Sequence, residues 1–147
     1  MKITICGSIA FINEMNQLKN QLENTRHEVK MPPNEIQNDN GILIPVSEYY
    51  LKRKSETSDT SWIWQRKAEA MKTHFEKIAW SDAVLVLNYD KNNIKSYIGG
   101  NTLIEMGVAF YLNKKIFLLN NIPEISYKEE ILGMQPIVIN GNFNKIK

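Results

Sequence analysis

The sequence predicts an α/β fold in which a parallel five-stranded sheet is flanked by helices. Short, continuous apolar segments, of which Ala83–Asn88 is the clearest, are typical of strands covered on both faces. Between them apolar residues recur at helical spacing, so strands and helices alternate along the chain. This alternation favours a parallel sheet with right-handed crossovers. A length of 147 residues fits one domain, 1–147.

The first part of the chain predicts two strands separated by a helix. Ile3–Cys6 is a short apolar strand that ends at Gly7-Ser8. His27–Met31 is a second, weaker strand, because Pro32-Pro33 cannot continue it. The helix between them has one apolar face, formed by Phe11, Met15, Leu18 and Leu22.

A long polar loop is expected at about residues 32–60. This segment is rich in Asn, Ser, Thr and Asp and has one apolar patch, Ile42–Val46. A loop of this length in a small domain is usually functional or mobile.

The second half predicts the rest of the sheet. Trp62–Trp80 has helical periodicity, and the strand Ala83–Asn88 follows it. The later elements are a loop at Tyr89–Gly100, a helix at Thr102–Leu112, a strand at Lys115–Leu119, a helical turn near Tyr127–Leu132 and a strand at Ile137–Asn140.

Composition excludes several classes of protein. The net charge is +2, and Lys and Arg are interspersed with Asp and Glu, so we expect neither nucleic-acid nor membrane binding. Cys6 is the single cysteine, which excludes a disulfide framework and a cysteine metal cluster. We expect a cytoplasmic protein with no metal and no cofactor.

The topology predicts where a small molecule binds. In open parallel sheets, ligands bind beyond the carboxyl ends of the strands, where the strand order reverses. In a flavodoxin-like (Rossmann-like) order, that point lies between the first strand and Ala83–Asn88. The candidate binding residues in the loops that leave these two strands are Gly7, Ser8, Ile9, Asp90, Tyr97, Gly99, Gly100, Asn101 and Thr102.

Both loops open a helix, so free backbone N–H groups could hold a phosphate or an anionic sugar oxygen. The alternative is that the glycines only permit tight turns between strand and helix.

Glu105 has two interpretations. The run Thr102-Leu103-Ile104-Glu105 matches a capping box, in which Glu105 would bond back to the backbone N–H of Thr102. The same first-turn position should keep a carboxylate ionised while it faces the crevice. An ionised, positioned carboxylate is what attack on an anomeric carbon requires. Gly107 would then let a neighbouring strand or a ligand approach closely.

His74 also has two interpretations. It lies beside the apolar face formed by Met71, Phe75 and Ile78, which is compatible with a hydrogen-bonded histidine at the edge of the core. Alternatively, it reaches the crevice and orients Glu105 or supplies a proton to a leaving group.

Three segments resemble a known family. Ser81–Leu87 followed by Gly100–Ala109 is similar to the nucleoside 2-deoxyribosyltransferase superfamily, in which Gly-Thr-x-x-Glu-x-Gly-x-Ala follows an apolar strand. Ile5–Ile9 resembles the start of the related 2′-deoxynucleoside 5′-phosphate N-hydrolases. The resemblance covers about half of the chain.

The resemblance implies a flavodoxin-like fold, a homodimer, and cleavage of the N-glycosidic bond of a nucleoside or nucleotide. The catalytic nucleophile would be Glu105, which would form a glycosyl-enzyme ester that water or a second base resolves with retention. Three positions depart from the family pattern. Gly99 stands where a sugar-binding Asp is usual, Asn101 replaces the motif glycine, and His74 replaces an Asp.

Three functions remain open at this point. The first is a nucleoside or nucleotide N-glycosidase or deoxyribosyltransferase. The second is a non-catalytic nucleotide-binding or sensing module, which the absence of an Asp at Gly99 favours. The third is a phosphoribohydrolase of the lysine-decarboxylase-like type, although Asn101 occupies the place of a glycine in that family's motif.

Overall fold

The computed structural model describes all 147 residues, Met1–Lys147. The strands are β1 (Lys2–Gly7), β2 (Glu28–Lys30), β3 (Glu35–Gln37), β4 (Leu43–Pro45), β5 (Ala83–Leu87), β6 (Lys115–Leu118) and β7 (Ile137–Val138). The α-helices are α1 (Ile12–Asn24), α2 (Val46–Ser55), α3 (Trp62–Trp80), α4 (Gly100–Tyr111) and α5 (Lys128–Gly133).

Five strands form one parallel sheet in the order β2-β1-β5-β6-β7. The prediction of a five-stranded parallel sheet with flavodoxin-like order is therefore confirmed. The order reverses between β1 and β5, where Gly7 pairs with Leu87 at the carboxyl ends of both strands. This reversal opens a crevice at that edge of the sheet.

Both faces of the sheet are covered, because alternate residues of the central strands enter two different cores. All five residues of β5 are buried. Leu85 and Leu87 pack with Ile5 and with Met15 of α1 on one face. The other face is covered by α3, α4 and α5, whose core members are Ile78, Met106, Ala109 and Ile131, in contact with Cys6, Val84 and Val86. The apolar runs in the sequence therefore belong to strands buried on both sides.

The structure differs from the prediction at residues 32–60. In place of one long polar loop it has an antiparallel hairpin, β3–β4, and the helix α2. Ile44 of β4 and Tyr49 of α2 pack with Ile63 of α3 in a small core of their own. Three-residue strands and a helix with few apolar residues leave too weak a periodic signal in the sequence.

Most other element boundaries differ from the predicted ones by one or two residues. The fourth helix begins at Gly100, two residues before the predicted start, and the last strand ends at Val138 instead of Asn140. The helix α3 has the predicted bounds, Trp62–Trp80. None of the helices combines the length and the apolar character needed to cross a membrane.

Gly7 ends β1 in a conformation that favours glycine. Its φ is +151°, and a Cβ atom built there would lie 3.2 Å from the carbonyl oxygen of Leu87 and 3.2 Å from Cε of Met15. A side chain at this position would press against the backbone of β5. The glycine therefore keeps β1 and β5 close together where the crevice begins.

Candidate functional site

Two adjoining cavities lie at the crevice between β1 and β5. Gly7, Ile9, Arg53 and Asn101 line both of them. We call the first the Glu105 cavity and the second the Lys91 cavity, after one lining residue of each. The position agrees with the crevice predicted from the strand order.

The Glu105 cavity has a volume of about 230 Å³. Its floor is the edge of the sheet at Gly7, and its walls come from α3, α4 and the hairpin–α2 segment. The charged and polar side chains that line it are Tyr49, Arg53, Arg66, Lys67, Glu69, Thr73, His74, Lys77, Asn101 and Glu105. Apolar contact is provided by Ile9, Ile36, Val46 and Met71 together with Pro32 and Pro33.

Glu105 is buried at the inner end of this cavity, with a relative exposure of 5%. Its Oε1 accepts a hydrogen bond of 2.9 Å from Nδ2 of Asn101, and its Oε2 has no hydrogen-bond partner within the protein. The capping-box interpretation is wrong, because α4 begins at Gly100 with Gly99 as its N-cap and without a side-chain cap. Glu105 therefore lies in the second turn, and its carboxyl group does not cap the helix.

The protonation state of Glu105 also differs from the expectation. Burial raises its pKa to about 8, and the neighbouring Cys6 thiol, the charge of Lys67 and the hydrogen bond from Asn101 lower it only in part. An ionised carboxylate is expected only if Glu105 lies in the first turn of the helix. One turn further in, loss of hydration outweighs the helix dipole, which acts mainly within that first turn.

His74 and Cys6 complete a buried cluster with Glu105. Nε2 of His74 lies 3.4 Å from Sγ of Cys6 and 3.8 Å from Oε1 of Glu105. Burial, with a smaller effect of Lys77, lowers the pKa of His74 to about 4, so the imidazole is neutral at pH 7. Burial and the nearby Glu105 raise the pKa of the Cys6 thiol. The cluster therefore contains no ion pair at neutral pH.

The same three residues are the one group in the protein that could hold a metal ion. Their donor atoms all lie within 4.8 Å of one another, and Cys, His and Glu are ligands that zinc accepts. Histidines that bind metal usually donate their other ring nitrogen to a neighbouring acceptor, whereas Nδ1 of His74 has no hydrogen-bond partner. We therefore assign no metal to this cluster.

The Lys91 cavity is smaller, at about 140 Å³, and all the charged side chains that line it are positive. Arg53, Lys54 and Lys91 line it, and no carboxylate does. Nζ of Lys91 donates hydrogen bonds of 2.9 Å to Oγ of Ser8 and 2.7 Å to the hydroxyl of Tyr50. The first residues of α4 also line it, so the positive end of that helix faces the same space.

Most of the predicted binding residues meet at these cavities. The Lys91 cavity is lined by Gly7, Ser8, Ile9, Tyr97, Gly99, Gly100, Asn101 and Thr102. Asp90 is separate: it is exposed, lines neither cavity, and accepts a 2.9 Å hydrogen bond from the backbone N–H of Ser96. Gly107 would carry a Cβ without meeting any atom within 4 Å, so no close approach explains it.

Sequence reasoning missed the cations of the site. Arg53 and Lys54 lie in the segment predicted as a loop, and Lys67 resembles an ordinary surface charge on a helix. Only the fold brings them to the crevice, since α2 packs against the turn Ile9–Phe11 and α3 lines the Glu105 cavity. The absence of acidic residues between Lys91 and Gly100 is a further signal in the sequence, beside the two helix-opening loops, for an anion site.

The raised pKa of Glu105 predicts a dependence of stability on pH. In unfolded chains the pKa of a glutamate is near 4.5, against about 8 in the folded protein. Between these values the folded state binds the proton more tightly, so the stability that Glu105 contributes is complete below pH 4.5 and is lost as the pH rises through 8. Glu105→Gln removes this term. Relative to the parent, the variant should therefore gain about 1.4 kcal/mol per pH unit between pH 5 and pH 8, and the difference should level off above pH 8.

Urea unfolding of the parent and of Glu105→Gln at pH 5, 7 and 9 measures this difference directly. Other titrating groups are common to both proteins and cancel. A difference in the free energy of unfolding that stays constant across this range would show that the pKa of Glu105 is not raised.

The fold and the site together define a class: a doubly wound α/β protein with a buried carboxyl group and a cationic cavity at its topological switch point. No protein-family model matches the sequence, and no curated protein matches it either. Comparison with solved structures finds a conserved protein from Enterococcus faecalis V583, with a TM-score of 0.55 and 18% identity over 94% of this chain and 89% of that one. This likeness confirms the fold.

Two enzymes of known activity are similar to a lesser degree. A 2-deoxyribosyltransferase from Bacillus psychrosaccharolyticus aligns with a TM-score of 0.49 and 18% identity over 80% of this chain and 71% of its own. The CMP N-glycosidase BcmB from Clostridium botulinum aligns with a TM-score of 0.49 and 17% identity over 94% of this chain and 85% of its own. With TM-scores below 0.5, neither likeness carries an argument about the function of this chain.

Proposed function

We propose that the protein cleaves the N-glycosidic bond of a nucleoside 5′-monophosphate, with Glu105 as the nucleophile. One observation carries the proposal: Glu105 lines a cavity and is buried, its Oε2 has no hydrogen-bond partner, and it does not cap a helix. A buried titratable group with a perturbed pKa in a cleft is typical of functional sites. The resemblance of the Gly100–Ala109 segment to the deoxyribosyltransferase motif supports the same role.

The reaction follows from this placement. Oε2 of ionised Glu105 attacks the anomeric carbon, and the bond to the base breaks with its electron pair passing to the base nitrogen, which takes a proton from solvent water; the water that later attacks the sugar returns a proton to the solvent. Water then attacks the anomeric carbon of the ester and releases the carboxylate and the sugar phosphate, while a second base attacking instead gives transfer. The negative carboxylate also stabilises the positive charge that develops on the sugar in the transition state.

The neutral state of His74 limits its role. With a pKa of about 4 it holds no extra proton to give at pH 7, so its proposed part is to contact Glu105 and Cys6 at the inner end of the cavity. Asn101 provides a second polar contact to Glu105. Its side-chain amide donates a hydrogen bond to the carboxyl group from one turn earlier in the same helix.

The preference for a substrate with a 5′-phosphate is inferred from the cations of the Lys91 cavity. Three cations without a carboxylate, together with the first-turn N–H groups of α4, form a site suited to a dianion. The two cavities share Gly7, Ile9, Arg53 and Asn101, so one molecule can place its sugar carbon at Glu105 and its phosphate near Lys91. An uncharged nucleoside would leave the three cations without a partner.

A second candidate function is a nucleotide-binding module without catalysis. It is favoured by Gly99, which supplies no carboxylate for a sugar hydroxyl, and by the protonated state of Glu105 at neutral pH. In this case the protein would bind a nucleotide in the same two cavities and release no base.

The test is a substrate panel of deoxyribonucleosides, ribonucleosides and their 5′-monophosphates, with and without an acceptor base. Free base is measured by chromatography between pH 6 and pH 9. We expect release from a 5′-monophosphate, with a rate that rises towards pH 8 as Glu105 ionises. If folded protein releases no base from any compound but its melting temperature rises with nucleotides, the binding module replaces the glycosidase.

A further inference from the structure

Lys67 on α3 reaches into the Glu105 cavity without contacting Glu105 itself. Its Nζ donates a hydrogen bond of 3.1 Å to Oδ1 of Asn101, and Nδ2 of Asn101 donates one of 2.9 Å to Oε1 of Glu105. We propose that Lys67 is a positioning residue, which acts through the amide of Asn101 to favour the ionised form of Glu105 and to aim its carboxylate into the cavity. The inference rests on the proposed role of Glu105.

The donor and acceptor groups of Lys67 and Asn101 determine which end of the Asn101 amide faces Glu105. A lysine ammonium can only donate, so its partner on Asn101 must be the oxygen of the amide. This leaves the NH₂ group, which can only donate, to face Glu105. An amide that donates to a carboxyl oxygen favours the ionised form, whereas an amide turned by half a rotation would present its oxygen and favour the protonated form. Lys67 therefore selects the amide orientation that suits a nucleophile.

Among the other groups around Glu105, Cys6 also lowers its pKa, but as an uncharged thiol. His74 is neutral at pH 7 and Cys6 is a thiol, so the charge that acts on Glu105 from α3 is that of Lys67. Burial, the first cause, and the cations Arg53 and Lys54 of α2 lower the pKa of Lys67 to about 8, while Glu105 raises it. Lys67 and Glu105 therefore stabilise each other's charged forms across the amide of Asn101.

Asn101 is the position where the resembling family has a glycine. A glycine there would break the connection, so the pair Lys67 and Asn101 is a feature of this chain. Asn101→Gly removes the amide and leaves the charge of Lys67 in place. The two residues can therefore be separated by mutation.

The experiment titrates Glu105 directly by carbon-13 NMR of protein labelled in its glutamate carboxyl groups, with Glu105→Gln assigning the signal. Lys67→Met should raise the midpoint of Glu105 by about one pH unit, since an opposite charge nearby lowers a carboxyl pKa by about 1–3 units. Base release at pH 7 should fall about tenfold, in line with that shift, and the loss should disappear above pH 9.5. Lys67→Arg, which also only donates, should restore the parent behaviour.

A double-mutant cycle tests the route through Asn101. In the Asn101→Gly background, Lys67→Met should move the midpoint of Glu105 by less than half as much as in the parent. An equal shift in both backgrounds would overturn the proposal, as would an unchanged midpoint in Lys67→Met. Lys72→Met is the matched control, because Lys72 is an exposed lysine on the same helix that lines neither cavity.

The NMR titration keeps this proposal separate from the proposed function. If the protein releases no base, the midpoint of Glu105 still reports whether Lys67 acts on it. Lys67→Gln replaces Lys67→Met if that variant does not fold.

Discussion

Glu105→Gln is expected to abolish release of the base, with a loss of at least about 10³-fold in kcat, as is usual when a nucleophile is removed. Glutamine nearly matches the shape of glutamate and can still contact Asn101, so substrate binding should remain within a few-fold of the parent. The amide cannot attack the anomeric carbon, and no ester can form. The measurement is single-turnover base release by chromatography, beside nucleotide binding by calorimetry.

Two controls separate chemistry from structure. Glu76→Gln changes an exposed glutamate on α3 that lines neither cavity, and it should leave base release unchanged. Trapping a covalent sugar adduct on Glu105 by rapid quench and mass spectrometry would identify the nucleophile directly. Base release that persists in Glu105→Gln would mean that another group attacks the sugar.

Lys91→Met has the second largest expected effect, and it should act only on substrates with a phosphate. Hydrogen bonds to charged groups are worth about 1.5–3 kcal/mol, so kcat/KM for the 5′-monophosphate should fall about 10–100-fold. The unphosphorylated nucleoside should be cleaved as slowly as by the parent. The ratio of the two kcat/KM values measures the discrimination.

Lys95→Met is the matched control for Lys91, since it removes an exposed lysine from the same loop that lines neither cavity. Discrimination should be unaffected in this variant. If Lys91→Met lowered kcat/KM equally for the phosphorylated and unphosphorylated substrates, Lys91 would stabilise the loop and would not bind the phosphate.

The sheet and the site's position could be predicted from the sequence because both depend on strong local signals. The run Ala83–Leu87 is apolar throughout since both of its faces are buried, and α3 has a regular apolar stripe between its cap at Ser61 and Ser81. Strand order then places Gly7 and Gly100 across one crevice. These predictions required no knowledge of side-chain contacts.

The walls and the electrostatics of the site could not be predicted in the same way. Arg53 belongs to a helix that is held by the packing of Tyr49 against Ile44 and Ile63, and nothing in its local sequence indicates that it faces the cavities. The pKa of Glu105 is raised because Glu105 lies in the buried second turn of α4. The sequence motif instead placed it in the first turn, where the helix dipole would lower the pKa. Asp90 lines neither cavity, and its carboxylate instead accepts a hydrogen bond from the backbone N–H of Ser96 in its own loop.

The hairpin–α2 segment has a consequence for how this protein can change. It carries Tyr50, Arg53 and Lys54 of the Lys91 cavity, yet it packs partly through a small core of its own, Ile44, Tyr49 and Ile63. The sheet and Glu105 do not depend on its hydrogen bonding. Under the proposed function, substitutions of its cavity-lining side chains would therefore change which ligand is accepted while the sheet and the backbone position of Glu105 stay the same, so selectivity can evolve with little change to the scaffold.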